Sequence, residues 1–238
     1  MICEILLPKP IEKTFYYKTS EFLETGIVVK VEFKSKKVVG VVIKTHREKI
    51  YNKPLKSIDN ILSSTPLPTE ILKSTEFVAK YTCNFRALIL KLFLTGFERN
   101  SIIKLEKNLF NRTKKLELSS EQRKAIKSLK ELGNKFKVAV LHGVTGSGKT
   151  RVFMSLVKEK LLNGFQCLIL VPEIILTSEW VKEIEKDFNI SPIIYHSSVN
   201  KKKREEICKA VFNKDINFII GTRSALTFPF TNLGVIII

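Results

Sequence analysis

Gly143-Val144-Thr145-Gly146-Ser147-Gly148-Lys149-Thr150 (GVTGSGKT) is the stretch whose reading decides the fold. It fits G-x-x-x-x-G-K-[ST], a spacing of residue types that demands one chemistry. Gly143, Gly146 and Gly148 let the backbone turn tightly with its N–H groups pointing inward, where they can cradle a polyphosphate that bulkier side chains would keep out. Lys149 is placed to reach the β- and γ-phosphates, and Thr150 to offer a hydroxyl to Mg²⁺. A helix starting here adds the positive end of its dipole. The whole loop from Gly143 through Val144, Thr145, Gly146, Ser147 and Gly148 to Thr150 is therefore the candidate nucleotide site.

Outward from the loop, Val138 to Leu141 (VAVL) reads as a short buried strand running into it. After it Val152, Phe153, Leu156, Val157 and Leu161 recur at helical spacing until Gly164. Upstream, SSEQ from Ser119 to Gln122 has the capping-box form and opens a helix predicted to end at Gly133. Downstream, CLILV from Cys167, PIIY from Pro192, NFII from Asn217 and the terminal VIII are short apolar runs separated by amphipathic helices. Runs of this kind are buried on both faces of a parallel sheet, so a doubly wound α/β domain is predicted from Ser119 to Ile238 with the phosphate loop after its first strand.

The amino-terminal half has a different period. GIVVKVEF and VVGVVIK, from Gly26 and Val38, are dense in β-branched residues, and Lys34 to Lys37 form a plausible hairpin loop, so residues 1–64 read as a small β-rich domain. Its cationic tip either touches phosphate or is a solvated turn. Thr65-Pro66-Leu67-Pro68 breaks the chain, and Thr69 is predicted to cap a helix with Ile71, Leu72, Thr75, Val78, Ala79 and Thr82 on one face. A second helix is expected from Arg86 to Leu94, stopping at Gly96. Residues 65–118 are thus a helical segment followed by a polar, lysine-rich linker.

Forty-one Lys and Arg stand against 23 Asp and Glu, a net charge of +18 spread over both halves. Such an excess favours a polyanionic partner, nucleic acid first, or belongs to a lysine-rich proteome. The KKKR run at Lys201 to Arg204 opens a helix where cations oppose the dipole, and either a phosphate or solvent accounts for it. Cys3, Cys83, Cys167 and Cys208 have neither zinc-finger nor disulfide-framework spacing. No stretch has the length of a membrane span and the start lacks a signal-peptide pattern, so a cytoplasmic protein is expected.

Three further stretches sit beside the phosphate loop: LVPEIILT from Leu170, HSS from His196 and IGTRSALTFPFTNLGVIII from Ile220. Together with GVTGSGKT they resemble the first-lobe motifs of superfamily 2 helicases, and specifically the PriA family of replication-restart DNA helicases (primosomal protein N′). The resemblance implies a RecA-like parallel α/β motor lobe, with ATP and Mg²⁺ as cofactors. By it, Gln122 stands where related helicases read the adenine edge, although the capping box claims the same side chain. Pro172 to Thr177 and Thr222, Arg223 and Ser224 match segments that contact the DNA backbone. Arg223 either pairs with a phosphate or forms an ion pair with Glu173.

LPKPIEKTFYY and the VEF hairpin resemble, more loosely, the family's domain that holds a DNA 3′ end, with Phe15 and Lys56 near that pocket. The family has an acidic residue where Tyr16 stands and a glycine where Lys34 stands, and these departures put end recognition in question. Tyr16 and Tyr17 either stack a base or fill the core. The winged-helix domain common in the family has no room between Gly96 and Ser119. The resemblance further implies a 3′-to-5′ helicase acting on forked or single-stranded DNA, with primosome proteins and single-strand-binding protein as partners. In the family LGVIII runs into an acidic segment that holds Mg²⁺, and a second lobe and a zinc module follow. The chain is therefore expected to be an amino-terminal part that ends before those carboxylates. By itself it would bind nucleotide weakly and turn it over negligibly, or serve as a DNA-binding module without turnover.

Overall fold

The β-branched runs of the first half form a five-stranded antiparallel sheet of β1 (Ile2–Leu6), β2 (Phe15–Lys18), β3 (Val28–Phe33), β4 (Lys36–His46) and β5 (Ile58–Ile61), in the order β2-β1-β4-β3-β5. The structure is a computed structural model that describes residues 1–48, 51, 54–97, 117–133, 135–172 and 178–238. By contact the chain divides into two compact units. One comprises Met1–Lys104 with Asn200–Asn213 and Thr227–Thr231, and the other Leu105–Val199 with Lys214–Leu226 and Asn232–Ile238.

In the first unit, β3 pairs with β4 from Val28↔Val41 to Phe33↔Lys36, which leaves Lys34 and Ser35 alone in the turn. The loop is shorter than the predicted Lys34–Lys37 because Lys36 and Lys37 join the ladder. Both turn residues are left-handed, with φ of 46° and 61°, the geometry that matches the twist of a two-residue hairpin. Without glycine each conformation costs on the order of 1–2 kcal/mol. The sheet curls until its edges meet: the Lys18 N–H donates to the Lys56 carbonyl at 2.9 Å, and Lys18 bridges Ser57 in parallel. The contact satisfies backbone groups that edge strands would leave open.

Alternation sends Ile5, Val29, Val31 and Val42 to one face of the sheet and Leu6, Val28 and Val41 to the other, all buried. The second face receives α1 (Thr69–Tyr81) and α2 (Arg86–Phe93), the latter followed by a 3₁₀ turn at Thr95–Phe97. Thr69 is not the cap expected. Pro68 occupies that position without a side-chain hydrogen bond, and its carbonyl accepts from the Ile71 N–H at 3.0 Å, so Thr69 is already the first helical residue. Ile71, Leu72, Thr75 and Ala79 are buried as predicted, whereas Thr82 lies exposed beyond the helix end.

The second unit holds α3 (Ser120–Lys130), α4 (Lys149–Leu162), β6 (Gln166–Leu170), α5 (Ser178–Phe188), β7 (Ile193–Tyr195), β8 (Phe218–Gly221) and β9 (Leu233–Ile237). Its four strands are parallel in the order β7-β8-β6-β9. Met154 and Val157 of α4 and Ile184 and Phe188 of α5 cover the sheet. Buried Gln166 ties three segments together, its amide donating to the Ile216 carbonyl and accepting from the Asn232 N–H, each at 3.0 Å. The fold is thus a curled antiparallel sheet followed by a parallel α/β lobe of RecA-like type.

Two expectations about this lobe fail. VAVL is not a strand, and Val138 and Val140 are 81% and 87% exposed. A parallel strand needs a neighbour delivered from a distant part of the chain. Both sides of β6 are taken by β8 and β9, and Val138–Leu141 pairs with no strand among the described residues. β9 is likewise not the doubly buried strand predicted. Among the described residues it pairs only with β6, and Leu233 and Ile236 stay partly in water.

One helix of the carboxy-terminal half, Lys201–Phe212, lies by contact in the first unit. Asn200 caps it by accepting from the Lys203 N–H. Phe212 meets Phe97 edge-on at 5.0 Å, and Gly96 sits so close that a Cβ would lie 2.8 Å from the Lys209 nitrogen.

Candidate functional site

The nucleotide site is assembled by local rules. Gly146 and Gly148 are left-handed at φ of 79° and 78°, as the turn requires. A Cβ on Gly143 would lie 2.8 Å from the Ser147 hydroxyl, and one on Gly148 would collide with the Gln122 amide, so either would displace that side chain, and at Gly148 the left-handed backbone adds strain. Gly148 is the N-cap of α4, and Lys149 and Thr150 are its first residues. The orphan N–H groups of that helix end thus lie beside the loop.

Lys149 turns back into the loop, its ammonium donating to the carbonyls of Gly143 at 2.7 Å and Val144 at 2.9 Å. These carbonyls stand in for anionic oxygen, the partner a loop lysine prefers. Gln122 uses both ends of its amide. Its oxygen accepts from the Ser119 N–H at 3.0 Å to complete the capping box, and its nitrogen donates to the Ser147 carbonyl at 3.3 Å. The sequence left cap and ligand as rival roles, and the structure adds a third partner, the loop itself. Lys130 on α3 pairs with Glu159 on α4 at 2.5 Å and braces the two helices.

On the parallel sheet, Leu170 of β6 pairs with Gly221 of β8, which brings Pro172 and Thr222 to the same carboxyl end of adjacent strands. Ligands of open α/β sheets bind at such ends. Thr222 donates its N–H to the Tyr195 carbonyl at 3.1 Å, and its hydroxyl lies 3.1 Å from that of Ser224. Arg223 opens the 3₁₀ turn Arg223–Thr227 and is exposed. Thr177 and Glu173, the latter the proposed ion-pair partner of Arg223, lie outside the described residues.

In the first unit, curling of the sheet brings Lys56 against β2. Its side chain reaches Glu32 on β3 at 2.7 Å, and this partner holds the Glu32 carboxyl below its ordinary range by hydrogen bond and charge. Phe15 packs edge-on against Phe33 at 4.8 Å, and the Lys34 ammonium lies 5.8 Å from the Phe33 ring. Phe15 and Lys56 thus both contact the corner at the end of β3, Phe15 through Phe33 and Lys56 through Glu32, whose side chains alternate to opposite faces of the strand. Sequence reading did not single out Glu32 and Phe33 because their contacts with Lys56 and Phe15 depend on edge closure, for which the strand pattern carries no signal. Tyr17 is a core residue, 5% exposed, and donates to the Glu32 carbonyl at 3.0 Å; burial and the nearby Glu32 and Asp59 charges push its hydroxyl up. Tyr16 leans on Tyr51 at 5.4 Å.

Cys3, Cys167 and Cys208 are buried free thiols, the last two pushed up to about 12 by desolvation, and Cys83 is exposed. Among the described residues no group of three His, Cys, Asp or Glu is placed to hold a metal, and no helix is long and apolar enough to cross a membrane.

Residues 4–95 match the family described as the 3′ DNA-binding domain of PriA, and residues 119–238 match the DEAD/DEAH box helicases. Curated relatives named "Replication restart protein PriA" match the chain over its whole length or part of it. That of Rickettsia conorii is 33% identical over 100% of this chain and 37% of its own length, and that of Helicobacter pylori strain 26695 is 29% identical over 93% of the chain and 34% of its own. The Bacillus subtilis protein is 36% identical over 55% of the chain and 16% of its own length. The chain thus spans little more than a third of relatives it matches from end to end. With a phosphate loop at a helix end, a parallel lobe and a curled sheet of matching order along the sequence, the chain belongs to the DEAD/DEAH box helicase family, in the branch of the replication restart protein PriA.

Proposed function

We propose that this chain supplies the DNA-end-binding domain and part of the first motor lobe of an ATP-dependent, 3′-to-5′ replication-restart helicase. The observation that carries the reading is the phosphate loop: a cradle of glycines at the start of α4 with Lys149 already bonded to loop oxygens. Nucleotide phosphates would replace the carbonyls of Gly143 and Val144 as partners of Lys149. Thr150 would hold Mg²⁺ together with the phosphates, and Gln122 would read the adenine edge. When bound, Mg²⁺ neutralises the charge developing on the γ-phosphate.

DNA would run over the carboxyl ends of β6 and β8, where Thr177, Thr222, Arg223 and Ser224 would offer backbone and side-chain donors to phosphates and Pro172, which has no N–H, would shape the turn beside them. A 3′ end would dock at the corner of Phe15 and Lys56, with Glu32 providing there the carboxylate that Tyr16 does not. The charge of +18 supports a DNA partner. We place the motor lobe from Ser119 onward and the end-binding domain in residues 1–64. Primosome proteins and single-strand-binding protein are the proposed partners of the full-length protein, in the cytoplasm.

The exposed Val138–Val140 segment bears on the isolated chain: a loop whose incoming segment has no ladder is poorly held. The chain should therefore bind nucleotide weakly and turn it over negligibly, and readily measured ATP turnover by it would contradict the second expectation. Titration with a fluorescent ATP analogue tests the site. Lys149→Ala removes a charge-assisted partner and should lower affinity roughly ten- to hundredfold; unchanged binding would sink the assignment. In a full-length protein the same change should abolish fork-stimulated ATPase. DNA affinity should fall with rising salt, and a 3′-phosphate should weaken binding relative to a 3′-hydroxyl.

A further inference from the structure

On α1, Phe77 and Tyr81 lie one turn apart, 68% and 81% exposed, with rings 6.1 Å apart and 15° from parallel. A solvent-facing helix surface is ordinarily polar, and two neighbouring aromatic side chains left in water mark a contact surface. Lys73 stands one turn before Phe77 and is exposed, and Lys80 lies beside the rings, 77% exposed and paired with Glu76 at 2.9 Å. Glu70 is exposed two turns before Phe77. Beyond the helix end, Phe85 adds a third partly exposed ring at the rim of a cavity of about 430 Å³, also lined by Glu12, Asn84 and Arg86.

The chemistry of the patch selects its occupant. The large apolar side chains exposed on α1 are only these two rings, Val78 being half-buried and Ala79 buried, so no aliphatic stripe surrounds them. Flat rings interleaved with lysines fit unpaired bases, which offer a π-face to each ring and a phosphate to each ammonium. The net charge of +18 complements a polyanion.

We infer that Phe77 and Tyr81 form a stacking platform for bases of single-stranded DNA, with Lys73 and Lys80 on the neighbouring phosphates. This rests on the DNA-binding reading above but names residues outside the Phe15 and Lys56 corner and outside the motor lobe. One strand could engage the platform and leave a 3′ end free for that corner.

The test uses the whole chain and a fluorescein-labelled oligo(dT), followed by anisotropy, with a blunt duplex as control. The double variant Phe77→Ala/Tyr81→Ala should bind oligo(dT) roughly tenfold or more weakly, since each stacked base is worth that order of affinity, and should bind the duplex almost as before. Phe77→Trp and Tyr81→Phe should retain oligo(dT) binding, whereas Phe77→Leu/Tyr81→Leu should not. Photocrosslinking through 5-iododeoxyuridine should label Tyr81. Oligo(dT) binding by the double alanine variant within twofold of the wild type would overturn the platform and leave the DNA-binding reading intact. Leucines serving as well as aromatics would overturn it in favour of an apolar protein contact. Absence of DNA binding by the wild type would overturn both readings. Because both side chains are exposed, the variants should melt like the wild type.

Discussion

The two sheets are made from similar residues and reach opposite ends. The antiparallel sheet of the first unit closes on itself, Lys18 of β2 meeting Lys56 and Ser57 ahead of β5. The parallel sheet of the second ends on β9, which among the described residues is bonded along one side, while Val138 and Val140 stay in water. Local connectivity explains the difference. A hairpin such as β3-β4 delivers each strand its neighbour within a few residues, whereas parallel neighbours arrive only after a crossover. Strand-forming side chains propose a strand, and a partner has to accept it.

The contrast is broken most severely by removing bulk from the closed sheet. Ile5 is fully buried, and Ile5→Ala should cost about 2–5 kcal/mol. Trp180 is the only tryptophan and packs on the core of the second unit, so its fluorescence reports that unit. Labelling of the buried Cys3 thiol reports the first. Ile5→Ala should expose Cys3 at lower urea while the Trp180 transition stays in place.

Adding bulk should do somewhat less. A Cβ on Gly40 would press on Leu7 and Ile5 at 2.7 and 2.8 Å, and one on Gly96 would meet the Lys209 nitrogen. Gly40→Ala and Gly96→Ala should each cost roughly 1–3 kcal/mol. Gly96→Ala additionally tests whether the helix Lys201–Phe212 holds to the first unit. If it does, Cys208 should become reactive to thiol reagents in this variant, whereas in the wild type only Cys83 should react quickly.

Smaller still is the Glu32–Lys56 pair. Because Lys56 holds the Glu32 carboxyl below its unfolded value, the contribution of the pair is present above the ordinary glutamate range and lost as pH falls through the lowered value. Glu32→Gln should flatten that acid limb in a melting-temperature profile, and loss of discrimination between 3′-hydroxyl and 3′-phosphate ends in the same variant would sharpen its role at the DNA end. The smallest effect is expected at the unpaired VAVL segment. Val140→Thr should change stability by no more than about 0.5 kcal/mol, as exposed substitutions do. A larger loss would mean that VAVL is paired in solution and that the contrast between the sheets is false.

What could be read along the chain was whatever a few neighbouring residues decide. The glycine spacing of the phosphate loop specified its left-handed turns at Gly146 and Gly148, and SSEQ specified the cap of α3, because both depend on backbone groups within a single turn. β3 and β4 followed from their density of β-branched residues, and the buried Ile71, Leu72, Thr75 and Ala79 of α1 from helical period. Tertiary structure decided whatever needs two distant segments. It left VAVL without a ladder, joined Lys56 to Glu32 by curling one sheet, gave the Gln122 amide a partner at Ser147, and set Phe77 and Tyr81 on the side of α1 that nothing covers among the described residues. Local hydrogen bonding and side-chain period are written in the order of residues, whereas burial and pairing belong to the company that each segment keeps in space.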